Sequence, residues 1–184
     1  LLRIQPWVSI SLPAGYRPNS IKFLRILSIL LSIFKRIPGM KYVADGLAVN
    51  TGLTDLTFTY NKLDFRSRGA QYFSTALENN RSLIKLCLDV NNIGAEGIRY
   101  LAKALNNNRT LSTLNLSKNN IGNEGAQNLA GALEKNTTLT SLILERSSIG
   151  TDGARALAVG LGINRTLITL NLLNNQIDLA AIEQ

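Results

Sequence analysis

LSTLNLSKNNIGNEGAQNLAGALEKNTT, residues 111–138, holds two kinds of periodicity in one line. Leu111, Leu114 and Leu116 are spaced i, i+3, i+5, and the last two follow the period of two that sends alternate side chains of a strand into one core. From Gly125 onward the apolar residues change step: Ala126, Leu129, Ala130 and Leu133 recur at helical spacing. One short strand followed by one helix is thus written into this stretch.

The same text recurs on both sides. LIKLCLDVNNIGAEG starts at Leu83, LTSLILERSSIGTDG at Leu139 and LITLNLLNNQID at Leu167, so that with Leu111 the four starts are evenly spaced. A degraded copy, LTDLTFTYNKLDF, starts at Leu53, one period and two residues before Leu83, with its two extra residues between Leu63 and Gly69. A unit of this size cannot bury both apolar faces alone, so neighbouring copies must stack into one continuous core. Parallel strands then line the inside of an arc and the wider helices its outside. Each helix runs into Asn80-Arg-Ser, Asn108-Arg-Thr, Asn136-Thr-Thr or Asn164-Arg-Thr, which reads as a helix stop because Asn tolerates the left-handed conformation. In the turn after each strand stands a column of Asn61, Asn91, Asn119 and Asn175. Their amides can donate to and accept from the backbone of adjacent coils. Ser147 interrupts the column, so the ladder is expected to be weaker there.

The pattern Leu-x-x-Leu-x-Leu-x-x-Asn-x-Ile-Gly, as in Leu111 to Gly122, followed by the Ala-rich Leu129-Ala130-Gly131-Ala132-Leu133, resembles the ribonuclease-inhibitor-like class of leucine-rich repeats over about residues 43–184. The resemblance implies an α/β horseshoe solenoid, with parallel strands on the concave face and helices on the convex face. It also implies kinship with intracellular proteins such as ribonuclease inhibitors, NOD-like receptors and the Ran GTPase activator. Family membership does not choose among those roles.

Composition removes whole classes of chemistry. With one Cys and no His, an intramolecular disulfide, a His/Cys zinc site and any imidazole-based catalysis are excluded within the chain. Gly160-Leu161-Gly162 lacks the Lys-Ser/Thr of a phosphate-binding loop. No cofactor, metal or catalytic residue is therefore expected, and the lone thiol fits a reducing cytoplasm. The net charge of +8 is concentrated at one end: residues 1–41 hold seven of the 20 Lys and Arg and no acid, whereas the rest of the chain is nearly neutral. The body of the protein gives no reason to expect nucleic acid as a partner.

What the pattern offers instead is a surface. If the strands line the concave face, the residues between the core leucines face a protein partner, and the candidates are Tyr60, Lys85, Asp89, Asn115, Lys118, Glu145, Arg146 and Asn171. The face is mixed in sign, with Tyr60 and Arg146 as anchors of the type that often carry binding energy. Cys87 reads as an ordinary small side chain on this face, its thiolate disfavoured by Asp89. Asn-x-Ser/Thr sequons fall at Asn80, Asn108, Asn136, Asn164 and Asn115. The first four share one structural corner, which explains them better than glycosylation does.

The ends stand apart. Residues 1–41 read as a basic leader and 42–184 as the repeat domain, with Pro38-Gly39 at the boundary. Wound as a helix, Ile21 to Ile37 places Lys22, Arg25, Ser28, Ser32, Lys35 and Arg36 within an arc of about 140°. That amphipathic helix either caps the first coil or lies on an anionic membrane; only Ile26 to Phe34 is free of charge, too short to span one. At the other end, Asp178 to Gln184 is too short for a capping helix, which leaves an uncapped coil open to self-association or a chain that continues. Three functions are in view: a protein-interaction module, in intracellular signalling or sensing; a GTPase activator of the Ran-activator type with Arg146 acting in trans; and a membrane-associated interaction protein.

Overall fold

Among the described residues, strands, turns and helices form where the pattern places them, and the units stack in sequence order. The computed structural model describes residues 2–5, 8–11, 37–59 and 68–178. Five helices, α1 (Ile37–Val49), α2 (Arg68–Asn79), α3 (Gly94–Asn107), α4 (Gly122–Leu133) and α5 (Thr151–Ile163), alternate with five parallel strands. These are β3 (Asp55–Phe58), β4 (Lys85–Cys87), β5 (Thr113–Asn115), β6 (Ser141–Ile143) and β7 (Thr169–Asn171). Tyr60, Asn61, the two extra residues of the degraded copy, nearly all of Ile21 to Ile37 and the tail after Asp178 lie outside the described residues.

The sheet register is the sequence period. Leu86 stands opposite Leu114, Leu114 opposite Leu142 and Leu142 opposite Leu170, while Cys87, Asn115, Ile143 and Asn171 form the next row. The core is correspondingly columnar. Leu86, Leu114 and Leu142 are at most 1% exposed, Leu88, Leu116 and Leu144 are fully buried, and Ile93, Ile121 and Ile149 close the turns below them. The helices bring Ile98, Leu101, Ala102 and Leu105, then Ala126, Leu129, Ala130 and Leu133, against the same columns. Each fully buried leucine contributes roughly 2 kcal/mol of apolar transfer, which offsets the entropy of ordering so short a strand. At the first described repeat Phe58 and Phe73 meet edge to face, with centroids 6.2 Å apart.

The Asn corner works by a different mechanism from the one the sequence suggested. Asn108 (φ −71°, ψ 135°) and Asn164 (φ −63°, ψ 141°) are extended rather than left-handed. The helix stops because the side chain replaces the backbone as partner. The Nδ2 groups of Asn80, Asn108, Asn136 and Asn164 donate to the carbonyls of Leu47, Leu77, Leu105 and Leu133 in the preceding unit at 2.7–2.8 Å. Their Oδ1 atoms accept the amides of Leu83, Leu111, Leu139 and Leu167 at 2.7–2.8 Å. Both ends of each amide are engaged, so these sequon positions serve the stacking of coils. Left-handed backbone occurs instead in the turn between strand and helix, at Val90, Asn92, Lys118, Asn120, Arg146, Ser148 and Asn174.

The amino-terminal end also departs from expectation. Helix α1 runs through Pro38 and Gly39 instead of breaking there; proline is tolerated in a first helical turn, whose amides have no intrahelical partner. Val43, Ala44 and Leu47 of α1 are buried, and Asn50 repeats the corner by accepting the Gly52 and Leu53 amides at 3.0 and 2.7 Å. The first helix is thus part of the stack. Beyond it, strands β1 (Leu2–Gln5) and β2 (Val8–Ser11) pair antiparallel, and β2 pairs antiparallel with β3. Among the described residues, what covers the first parallel strand is therefore a hairpin from the basic leader. At the opposite end, again among the described residues, the last coil is less covered: Leu167, Leu170 and Leu172 are only partly buried, whereas their equivalents one unit earlier, Leu139, Leu142 and Leu144, are fully buried.

Candidate interaction face on the sheet

Side chains that alternate with the core leucines point away from the helices and stand half-exposed on the open face of the sheet. Their neighbours across strands hold them in place. Asp89 accepts hydrogen bonds from the Thr59 hydroxyl at 2.7 Å and the Cys87 thiol at 2.9 Å. Asn115 donates to Cys87 Sγ at 3.3 Å and accepts from both the amide and the hydroxyl of Ser117, at 3.0 and 2.7 Å. A continuous chain of polar contacts therefore runs across β3, β4 and β5. Burial, reinforced by the bond to Asp89 and opposed by weaker contacts, pushes the Cys87 thiol up to about 11. The thiol stays protonated at neutral pH and acts as a donor, without nucleophilic character.

The charged candidates sit at two places along the strands. Lys85 lies 3.7 Å from Asp55 of the neighbouring strand, at the strand starts. At the strand ends, Glu145 lies 3.6 Å from Arg146 and accepts from Asn174 Nδ2 at 3.1 Å, and the Lys118 amide donates to the Glu145 carbonyl at 2.8 Å. Lys118 and Arg146 are exposed and occupy equivalent left-handed positions in successive turns, φ 57° and 50°. They thereby form a cationic rim beside a carboxylate. Asn171, in the last row, accepts the Leu173 amide at 2.9 Å. The structure thus gathers Lys118, Glu145 and Arg146 into one group and Asp89 with Asn115 into another, while Lys85 stands apart at the far edge.

Thr59, Ser117 and Asn174, which stand in the same columns of the face, and Asp55, which the sequence did not single out, position the candidates. The signal that finds them is the repeat offset: Thr59 and Asp89 are 30 residues apart, as are Asp55 and Lys85 across the first pair of units. Below the face, the Asn column holds the turns. Asn91, Asn119 and Asn175 donate to Phe58, Leu88 and Leu144 carbonyls at 2.6–2.8 Å. Asn119 Oδ1 accepts the Asn91 and Ile93 amides, and Asn175 Oδ1 those of Ser147 and Ile149. Ser147 donates at the longer distances of 3.3 and 3.2 Å, to Leu116 and Glu145 carbonyls. Among the described residues there is no cluster of three or more His, Cys, Asp or Glu able to hold a metal ion, and no helix long and apolar enough to cross a membrane.

Comparison with known proteins agrees with this architecture. Residues 79–102, 107–130 and 135–158 match the family model of the leucine-rich repeat, in segments that advance in step with the strands. No curated protein matches the chain. Among solved structures, the chain is similar to the one titled "Leiomodin-1 Actin-Binding Site 2 (ABS2)", with 28% identity and a TM-score of 0.55 over 62% of this chain. The match covers 65% of the leiomodin-1 chain, slightly less than two thirds of its length. Period, strand register and family model coincide: residues 79–158 are built of leucine-rich repeats, and the described chain folds as an α/β leucine-rich-repeat solenoid.

Proposed function

We propose that the protein is an interaction module that binds a protein partner on the open, concave face of its sheet, with Lys118, Glu145 and Arg146 at the centre of the contact. The observation that carries this reading is the pre-ordering of the face. Polar side chains from successive strands are already hydrogen-bonded to one another, from Thr59 through Asp89 and Cys87 to Asn115. A partner therefore meets a surface whose side-chain entropy is largely lost before binding, which favours affinity and selectivity. The exposed guanidinium of Arg146 supplies an anchor of the kind enriched among residues that dominate interfaces. Tyr60, by its repeat position, is a further candidate for the same face. A repeat unit long enough to hold a full α-helix supports assignment to the ribonuclease-inhibitor-like class. A single free cysteine, Cys87, fits a reducing, cytoplasmic setting, where a signalling or sensing role would be exercised without catalysis by this chain.

The likeness to the actin-binding site of leiomodin-1 makes actin the first named partner to test. The less covered last coil, with Leu167, Leu170 and Leu172 only partly buried, supports self-association as a secondary property, and the basic stripe of Ile21 to Ile37 supports contact with anionic membrane. The decisive experiment is actin co-sedimentation alongside pull-down from cytosolic extract, using wild type and a Lys118→Ala, Glu145→Ala, Arg146→Ala variant with matched circular dichroism. Loss of the captured protein by roughly tenfold or more in the variant is the expected result. Equal capture by both would move the binding surface off this face.

A further inference from the structure

The last described coil ends in a face built for stacking. Ala158, Leu161, Leu170 and Leu172 stand one period after Ala130, Leu133, Leu142 and Leu144, which are at most 5% exposed, yet none of the four is buried. A hollow of about 740 Å³ lies against this end, walled in part by Ala154, Leu170, Leu172 and Ile177. Residues 167–177 of the coil carry no charge, whereas the corresponding stretch of each earlier regular copy holds Lys85 and Asp89, Lys118, or Glu145 and Arg146. Where Ser112 and Thr140 stand in the two preceding units, this one has Ile168, 85% exposed. Free sheet edges are ordinarily guarded by charge, Lys above all, and the edge of β7 has no such guard.

The hydrogen bonding of that edge selects its occupant. Between neighbouring coils the amides of Leu88, Leu116 and Leu144 donate to the next strand at 2.8–2.9 Å, and the carbonyls of Ile84, Ser112 and Thr140 accept from it at 2.8 Å. The corresponding groups of the last coil, the Leu172 amide and the Ile168 carbonyl, reach no further strand among the described residues. Alternation turns both the amide and the carbonyl of Leu170 to the same edge. This pattern is complementary to itself. Turned about a two-fold axis through Leu170, normal to the sheet, each Leu170 exchanges both bonds with its counterpart, and each Leu172 amide meets the other copy's Ile168 carbonyl.

Side chains favour the same arrangement over one more parallel coil. In a parallel stack the position of Ile168 stays in solvent, as Ile84 does at 41% exposed although β4 is flanked on both sides. Antiparallel pairing instead sets Ile168 against Leu172 of the second copy, on the side of the sheet where both helical layers lie. An uncharged edge also suits a contact in which each residue approaches its own copy. At the opposite end β2 already covers β3, which denies the first parallel strand to a second copy.

We propose that two copies of the chain associate through β7, edge to edge and antiparallel, about a two-fold axis at Leu170. The inference rests on the self-association reading above and gives it a geometry. The two open faces then form one surface that presents the group of Lys118, Glu145 and Arg146 twice, so that a repetitive partner is held at two points.

Sedimentation velocity of the full chain at micromolar concentrations reads the association, and disulfide trapping reads the register. In this register Thr169 faces Asn171 of the other copy as a non-hydrogen-bonded pair, with Cα atoms about 4.5 Å apart and within reach of a disulfide, whereas neither residue faces itself. In a Cys87→Ser background, Thr169→Cys and Asn171→Cys chains mixed under mild oxidant are expected to cross-link roughly tenfold faster than either chain alone. Ile168→Lys, at a position already in solvent, is expected to weaken the dimer roughly tenfold with an unchanged circular dichroism spectrum. A monomer at every concentration would overturn both the proposal and the self-association reading. A dimer that Ile168→Lys leaves intact, or chains that cross-link no faster mixed than apart, would overturn the proposal alone and move the contact to another surface.

Discussion

Asn119 shows how one side chain holds two coils together. Its Nδ2 donates to Leu88 and Leu116 carbonyls at 2.8 and 2.9 Å, and its Oδ1 takes the Asn91 and Ile93 amides, all in buried surroundings. Removing it leaves several buried backbone groups without partners, each costing about 1–3 kcal/mol. Asn119→Ala is therefore expected to destabilise the fold by about 3 kcal/mol or more, read as a shift in the urea midpoint with unchanged slope. Ser147 stands in the same column with a shorter hydroxyl that reaches the preceding turn only at 3.3 Å. Ser147→Asn is expected to raise stability by about 1 kcal/mol, since its amide would take up the role Asn119 and Asn175 play on either side. A loss of stability from that change would mean the column is not equivalent from unit to unit.

A second residue-scale test concerns Cys87. Its thiol is raised from 9.0 to about 11, chiefly by burial and then by the bond to Asp89. Thiolate fraction falls tenfold per unit of pKa below its midpoint, so alkylation at pH 8 is expected to be about a hundredfold slower in the folded protein than in urea. Because the neutral form is the favoured one, the folded rate keeps rising about tenfold per pH unit until pH approaches 11, whereas the unfolded rate levels off near 9, and Asp89→Asn accelerates the folded reaction by removing the carboxylate. A folded rate equal to the unfolded rate would show that the polar chain across β3 to β5 does not hold the thiol.

At the scale of elements, two glycines in neighbouring helices carry opposite expectations. Gly160 of α5 lies so close to α4 that an added Cβ would meet the Ala130 carbonyl oxygen at 2.7 Å and its Cα at 3.0 Å. Gly160→Ala must push the helices apart and is expected to cost about 1–3 kcal/mol. Gly131→Ala meets nothing and removes the entropic penalty of a mid-helix glycine, so it is expected to add about 1 kcal/mol. Thermal melts of the two variants should move in opposite directions.

The elements were legible where the repeat constrained them and illegible where it did not. Leu111, Leu114 and Leu116 announced the strand because burial on one side demands alternation, and all three are fully buried or nearly so. Asn108 announced a helix stop by type, but the mechanism depends on the carbonyl of Leu77, 31 residues away, which local propensity does not register. Strands β1 and β2 carry no copy of the repeat, and an antiparallel pairing with β3 is a long-range contact without a period to betray it. The candidate face was half visible: its columns followed from the register, but which members pair, such as Glu145 with Asn174, follows from turn geometry that puts Lys118 and Arg146 in left-handed backbone.

For the whole molecule, stacking converts a series of short elements into one rigid surface. Each unit touches mainly its neighbours, so stability accumulates along the stack and the open face inherits the order of the core beneath it. Binding by such a surface is expected to leave the fold unchanged and to quench local opening where the partner sits.

Amide hydrogen exchange of the protein, free and in complex with the partner it captures, is the sharpest test of the open face as the binding surface. Added protection is expected in the turns around Lys118 and Arg146 and in the strands β4 to β7 that lead into them. Protection confined to the outer surfaces of α2 to α5, with those turns exchanging as in the free protein, would refute it.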